Sequence, residues 1–206
     1  MKEGLRDKQR RLVEREIAAA AMRLFDSEGF DAVTVEQIAD AAGISSRTFF
    51  RYFANKEELL VLYQRQIHAR LVTALAARPA DEGPVTALRE AYIATSHVAP
   101  EDRDQVLRSN RFLASSRALR VRLNGESTVD RGPVIALLAE RMGLDASDPR
   151  LETVAVAVGA VAGASFNRWL SSGGQGDPAE HISRALRLLE DGLAGLDLPA
   201  KRRRSA

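Results

Sequence analysis

Cysteine is absent from this sequence, so neither a disulfide framework nor a thiolate metal site can form. That fits a reducing compartment. Histidine is scarce: His68, His97 and His181 lie far apart, and none falls in an H-x-x-x-H or H-E-x-x-H pattern that would set two ligands on one helix face. No glycine loop matches a phosphate cradle, because Gly173-Gly174-Gln175-Gly176 lacks the preceding strand and the following lysine of a P-loop. A nucleophile elbow is missing too. Catalysis needs convergent reactive groups, so the expectation is no enzyme, no metal and no cofactor. Long hydrophobic runs are also lacking. The longest uncharged stretch, Thr153 to Asn167, falls short of the roughly 20 apolar residues that cross a bilayer. The opening MKEGLRDKQRR has no apolar core behind its charges and does not read as a signal peptide. A cytoplasmic protein without a membrane partner is expected.

What is present is a soluble, globular mix: 206 residues, 45% hydrophobic and 28% charged. The formal net charge is only +2. Residues 1–71 are nearly balanced, with twelve Lys and Arg against eleven Asp and Glu. Residues 72–200 are slightly acidic, and the run Lys201-Arg202-Arg203-Arg204 supplies most of the basic pI. Overall charge is therefore no argument for a nucleic-acid partner, and local placement has to carry one.

The stretch Thr34 to Phe53, TVEQIADAAGISSRTFFRYF, supplies it. Thr34 with Gln37 three residues on makes a capping box. Val35, Ile38, Ala39 and Ala42 fall on one helical face. Gly43 ends that helix, since glycine alone enters the left-handed region cheaply. Ser45 or Ser46 caps a second helix, in which Phe49 and Phe53 stand four apart and point inward. Ser46, Arg47, Thr48, Phe50, Arg51 and Tyr52 remain outside. Helix, glycine turn and helix make a helix-turn-helix, whose second helix enters the DNA major groove. An arginine at 47 or 51 can clamp guanine O6 and N7. The hydroxyls of Ser46, Thr48 and Tyr52 and the Lys56 ammonium can hold phosphates.

The run LFDSEGFDAVTVEQIADAAGISSRTFFRYFANKEEL, Leu24 to Leu59, resembles the DNA-binding domain of the TetR family of bacterial repressors. The resemblance covers about the first third of the chain. It implies homodimers that bind operator DNA through paired helix-turn-helix units, and a small molecule in the C-terminal bundle that releases the DNA. Position by position, Thr34 looks like a phosphate contact, Ser46, Arg47 and Thr48 like the leading edge of the reading helix, and Tyr52 and Lys56 like phosphate clamps. Val35 and Ser45 complete the expected DNA-binding set. Phe50 stands where the family usually has tyrosine, so a hydroxyl contact is lost and a thymine methyl becomes the natural partner.

Elsewhere the chain reads as all-α, with about nine helices. A long helix from residue 11 carries Val13, Ile17, Ala20, Ala21 and Leu24 on one face, and Lys8, Arg10 and Arg11 precede or open it. A fourth helix begins at Asn55, buries Leu59, Tyr63, Ile67 and Leu71, and ends at Arg78-Pro79. Spanning both domains, it is the natural lever between them. Beyond it come helices from Pro84 to Val98, near Glu101, and from Arg117 to Met142, the last bent or interrupted at Asn124-Gly125 and Gly132-Pro133. Leu151 to Leu170 reads as a buried helix, apolar all round, although Val154, Val156 and Val158 alternate like a strand. A final helix starts at Pro178 with a leucine seam.

This divides the chain into a flexible basic segment, 1–10; a helix-turn-helix domain, 11–71; a ligand-binding and dimerisation domain, 72–198; and a disordered basic tail, 199–206. The expected pocket residues are Tyr63, Ile67, Tyr92, Ser96, His97, Arg108, Arg111, Phe112, Leu138, Phe166 and Asn167. In the resembling family the last two helices form the dimer interface, which here implies Val158, Gly159, Ala162, Gly163, Phe166 and Trp169, with Ile182, Leu186, Leu189 and Leu193. The function expected is a ligand-responsive repressor on a palindromic operator. The alternative is a helical sensor or interaction module without DNA binding. Effector, operator, target genes and the sign of regulation are not written in the sequence, nor is a DNA role for the basic tail.

Overall fold

A computed structural model describes residues 4–107 and 130–192. Eight α-helices and one short 3-10 helix lie whole within the described residues, which contain no strand. They form two compact units: 4–73 with 99–107 and 130–133, and 74–98 with 134–192.

The first unit holds α1 (Leu5–Glu28), α2 (Val35–Ala41), α3 (Ser46–Tyr52) and most of α4 (Glu57–Ala76), which runs on past Thr73 into the second unit. Its core is Ile17, Ala21, Phe25, Phe30, Val33, Ile38, Phe49, Phe53, Leu59 and Leu60. Phe25 and Phe30 meet edge to face, 4.9 Å between ring centres, which closes the turn after α1 over the core. The helix α1 begins at Leu5, so residues 5–10 are not the loose segment expected of them. Arg, Lys, Gln and Leu are all good helix formers, and Arg10 pairs with Glu14 one turn on at 2.8 Å. Composition that looked merely basic is thus helical.

In the second unit α5 (Pro84–Ser96), α6 (Gly132–Met142), α7 (Pro149–Ser171) and α8 (Pro178–Glu190) surround a core of Leu75, Leu88, Leu138, Leu151, Val158, Trp169, Ile182 and Leu186. The helices α5, α7 and α8 all pack on one another. Gly132-Pro133, expected to bend or interrupt a longer helix, starts α6, with proline in the first turn where its missing N–H costs nothing; Asn124-Gly125 lies outside the described residues. Arg141 near the end of α6 donates to the carbonyls of Leu75, Arg78 and Pro79, bracing the chain where α4 stops. Asp148 caps α7, and its hydrogen bond from Arg150 draws the carboxyl pKa down to about 2.

The helix α7 is not apolar and buried all round. One face packs inward through Leu151, Ala155, Val158, Ala162 and Trp169. The other leaves Val156 41% exposed and carries Ala160, Gly163, Ala164 and Asn167 at the surface. This corrects the expected dimer face. Val158, Ala162 and Trp169 on α7, and Ile182 and Leu186 on α8, are each at most 3% exposed in the single chain, so their side chains are already spent on its own core. Gly159 is half-buried and turned toward α5: a Cβ there would come 2.9 Å from the Tyr92 hydroxyl, so the glycine makes room for the tip of that side chain. A Cβ on Gly163 would meet nothing within 4 Å. Phe166 and Leu189 are half-buried, and Leu193 lies outside the described residues.

Candidate nucleic-acid interface

The reading helix is built by local chemistry. The Thr34 hydroxyl accepts from the Gln37 N–H, and the Gln37 side chain accepts from the Thr34 N–H at 2.8 Å, so both halves of the capping box are made. Gln37 also donates to Glu28, tying α2 to the end of α1. At the other end Gly43 adopts φ 67°, its N–H bonds to the Asp40 carbonyl, and the Ile44 N–H bonds back to Ala39 at 2.9 Å. That pair is a Schellman stop, and it turns the chain tightly into α3. Of the two candidate serines, Ser45 is the cap. Its hydroxyl accepts from the Thr48 N–H and lies 3.0 Å from the Thr48 hydroxyl, so Ser45 and Thr48 hold the helix start together.

The helix α3 then has two distinct sides. Phe49 is fully buried, and Phe53 behind it is 6% exposed. Arg47, Phe50 and Arg51 face solvent, with Phe50 54% exposed and set edge to face on Phe49. An aromatic this open on an otherwise polar face is available to a thymine methyl or a sugar. Ser46, Thr48 and Tyr52 are half-buried, and Thr34 is exposed. Val35 is half-buried against the core rather than standing free.

Lys56 is the clearest departure. Its ammonium donates to the carbonyls of Phe30 at 2.6 Å, Val33 at 2.8 Å and Asp31 at 3.4 Å, and it lies 4.5 Å from the centre of the Phe30 ring. An ammonium has three donors, and here three carbonyls take them. The expected phosphate clamp is instead a staple holding the α1–α2 connection to the start of α4. No sequence signal marks this, because the acceptors are backbone atoms more than twenty residues upstream. Replacing Lys56 with Met leaves the half-buried carbonyls without a charged donor. We expect a loss of roughly 2–4 kcal/mol by chemical denaturation. An unchanged unfolding midpoint would leave Lys56 free to act on DNA.

Among the described residues the expected pocket residues are divided between the two units. Tyr63 and Ile67 are half-buried on α4 in the first unit. In the second, Leu138 is fully buried core, and Phe166 packs 5.5 Å from the Trp169 ring. His97 and Asn167 are at the surface, Tyr92 and Ser96 half-buried on α5. His97 is engaged with Asp177, the residue that caps α8. Arg108, Arg111 and Phe112 lie outside the described residues. Among the described residues no group of His, Cys, Asp or Glu is placed to hold a metal, and no helix is long and apolar enough to cross a membrane.

Comparisons with known proteins agree with this geometry. Residues 17–62 match the family model described as "Bacterial regulatory proteins, tetR family". Residues 82–194 match the model described as "MftR C-terminal domain". The chain is 39% identical over 89 residues to the HTH-type transcriptional regulator TcmR of Streptomyces glaucescens, covering 43% of this chain and 39% of TcmR. It is 36% identical over 74 residues to RutR of Escherichia coli K12, covering 36% of this chain and 35% of RutR. The matches to these curated relatives thus span well under half their length. Among solved structures, Thermus thermophilus FadR, a TetR-family transcriptional repressor in complex with lauroyl-CoA, superposes with a TM-score of 0.63 at 28% identity, over 91% of this chain and 98% of that one.

Proposed function

The chain belongs to the TetR family of bacterial regulatory proteins, and from there we propose that it is a ligand-responsive transcriptional repressor acting as a homodimer on a palindromic operator. The observation that carries this is the two-sided α3: Phe49 and Phe53 anchor it, and Arg47, Phe50 and Arg51 are exposed on the other side. Two such helices reach successive major grooves only if a two-fold axis sets them one turn of DNA apart, about 34–36 Å. The open strip of α7, Val156, Ala160, Gly163 and Ala164, is the surface we assign to that axis. Small residues there let two helices approach closely, and Leu188 on α8, 43% exposed, adds apolar area.

Effector release follows from linkage: a ligand that favours one spacing of the two heads over another shifts binding by its difference in affinity. The likeness to a repressor solved with lauroyl-CoA supports long-chain acyl thioesters as the first class to try. The repressor acts in the cytoplasm in this reading.

The test is selection of bound duplex from a random pool, followed by Arg47→Ala. The variant should discriminate less against one base pair of each half-site, by about 1–3 kcal/mol. Preferences identical to those of the unaltered protein would remove Arg47 as a base reader. A dimer with no duplex affinity at low salt would favour a sensor without DNA binding.

A further inference from the structure

Arginines from two helices converge on Tyr52. The Arg51 guanidinium carbon lies 5.2 Å from the centre of the ring, and that of Arg10 lies 6.0 Å from it. Arg51 also reaches the Tyr52 hydroxyl, at 3.5 Å. With Arg6, Gln9 and the apolar Leu12 and Val13 these side chains line an open groove of about 470 Å³ between α1 and α3. Glu14 accepts from Arg10 Nε at 2.8 Å and so fixes the plane of that guanidinium.

Like charges gathered at one ring repel; Glu14 offsets part of the charge of Arg10, and the aromatic face a further part. Three guanidinium groups against one carboxylate still make the groove attractive to an anion. The planar guanidinium fork suits phosphate in particular, and the Gln9 amide can add a neutral donor. Position on α3 matters as well. Base edges are met by the N-terminal residues of a reading helix, where Ser46, Arg47 and Thr48 lie. Arg51 comes one turn later and leans over Tyr52 toward the groove it shares with α1.

We propose that Arg6, Arg10 and Arg51 form one phosphate-holding cluster that grips the DNA backbone beside the groove entered by α3, and so sets affinity while leaving base choice to Arg47. This rests on the DNA-binding reading above. It also moves Arg51 from base reader to backbone contact.

The full chain and the duplex selected from the random pool make the test, with binding measured across a salt series. At about 0.9 of log–log slope per phosphate neutralised, and with each substitution present in both subunits of the dimer, Arg6→Ala/Arg10→Ala should flatten the salt dependence by about 4 and Arg51→Ala by about 2. Affinity should fall roughly tenfold per arginine removed, equally for selected and scrambled duplexes. Methylphosphonate at the flanking phosphates should reproduce the loss in the unaltered protein and add nothing to the double variant. Unchanged slopes in both variants overturn the proposal. So does a loss of discrimination in Arg51→Ala like that of Arg47→Ala. If inorganic phosphate raises the melting temperature of the unaltered protein but not of Arg6→Ala/Arg10→Ala, while the slopes agree, the cluster serves a free anion and the proposal falls. If the unaltered chain binds no duplex at low salt, the DNA-binding reading fails first and this one with it. A chain that binds the selected duplex but shows no effect of either variant loses only the cluster.

Discussion

Trp169→Ala should cost the protein about 3–5 kcal/mol, the range for deleting a large buried aromatic. Trp169 is fully buried, its Nε1–H donates to the Gly176 carbonyl at 3.0 Å, and Phe166 packs on the same side. The substitution therefore opens a cavity, strands a carbonyl and frees the glycine loop between α7 and α8. In a chain of this size the melting temperature should fall by roughly 10 °C. The sequence had placed Trp169 at a subunit interface, and the experiment separates the two assignments. A core residue lowers stability at every protein concentration. An interface residue instead leaves the single chain folded and weakens association, so an unaltered melt with loss of the dimer would return Trp169 to the interface.

Ala164→Glu should do the reverse. Ala164 is exposed in the single chain, and a glutamate there meets water, so the monomer keeps its fold. In a two-fold dimer closed on the α7 strip the same change buries two like charges beside each other. Sedimentation should show dimer giving way to monomer. Operator affinity should then drop by on the order of 10²–10⁴, because the second half-site contact is no longer intramolecular. A dimer that persists in Ala164→Glu would mean the strip is not the interface.

Much of the DNA-reading head was legible because its determinants are local. The Thr34–Gln37 box, the Gly43 stop and the Phe49–Phe53 pair all act within five residues, and each is present in the structure. The choice between Ser45 and Ser46 was not legible, since either hydroxyl could reach the same turn. Nor was the start of α1: good helix formers near a terminus look like a basic arm until a pair such as Arg10–Glu14 is seen. The pocket resisted a sequence reading more thoroughly. A polar residue on an apolar helix, such as His97, can line a cavity, bond a neighbouring cap or do both, and only the neighbours' positions decide; here it bonds Asp177 and lines an open groove with Ile93 and Ser183.

The sequence by itself determined that the chain is helical, where most helices begin and end, and which face of α3 is free. Those features follow from hydrogen bonds and side-chain spacing within one or two turns. Tertiary structure alone decided which side of α7 is core, that Lys56 is held by the carbonyls of Phe30 and Val33, and that Arg51 leans toward α1. A helix apolar on several faces carries no mark of which face its neighbours will cover. A cation carries no mark of whether its acceptor will be a distant backbone or a ligand. Both are fixed only when packing brings remote segments together.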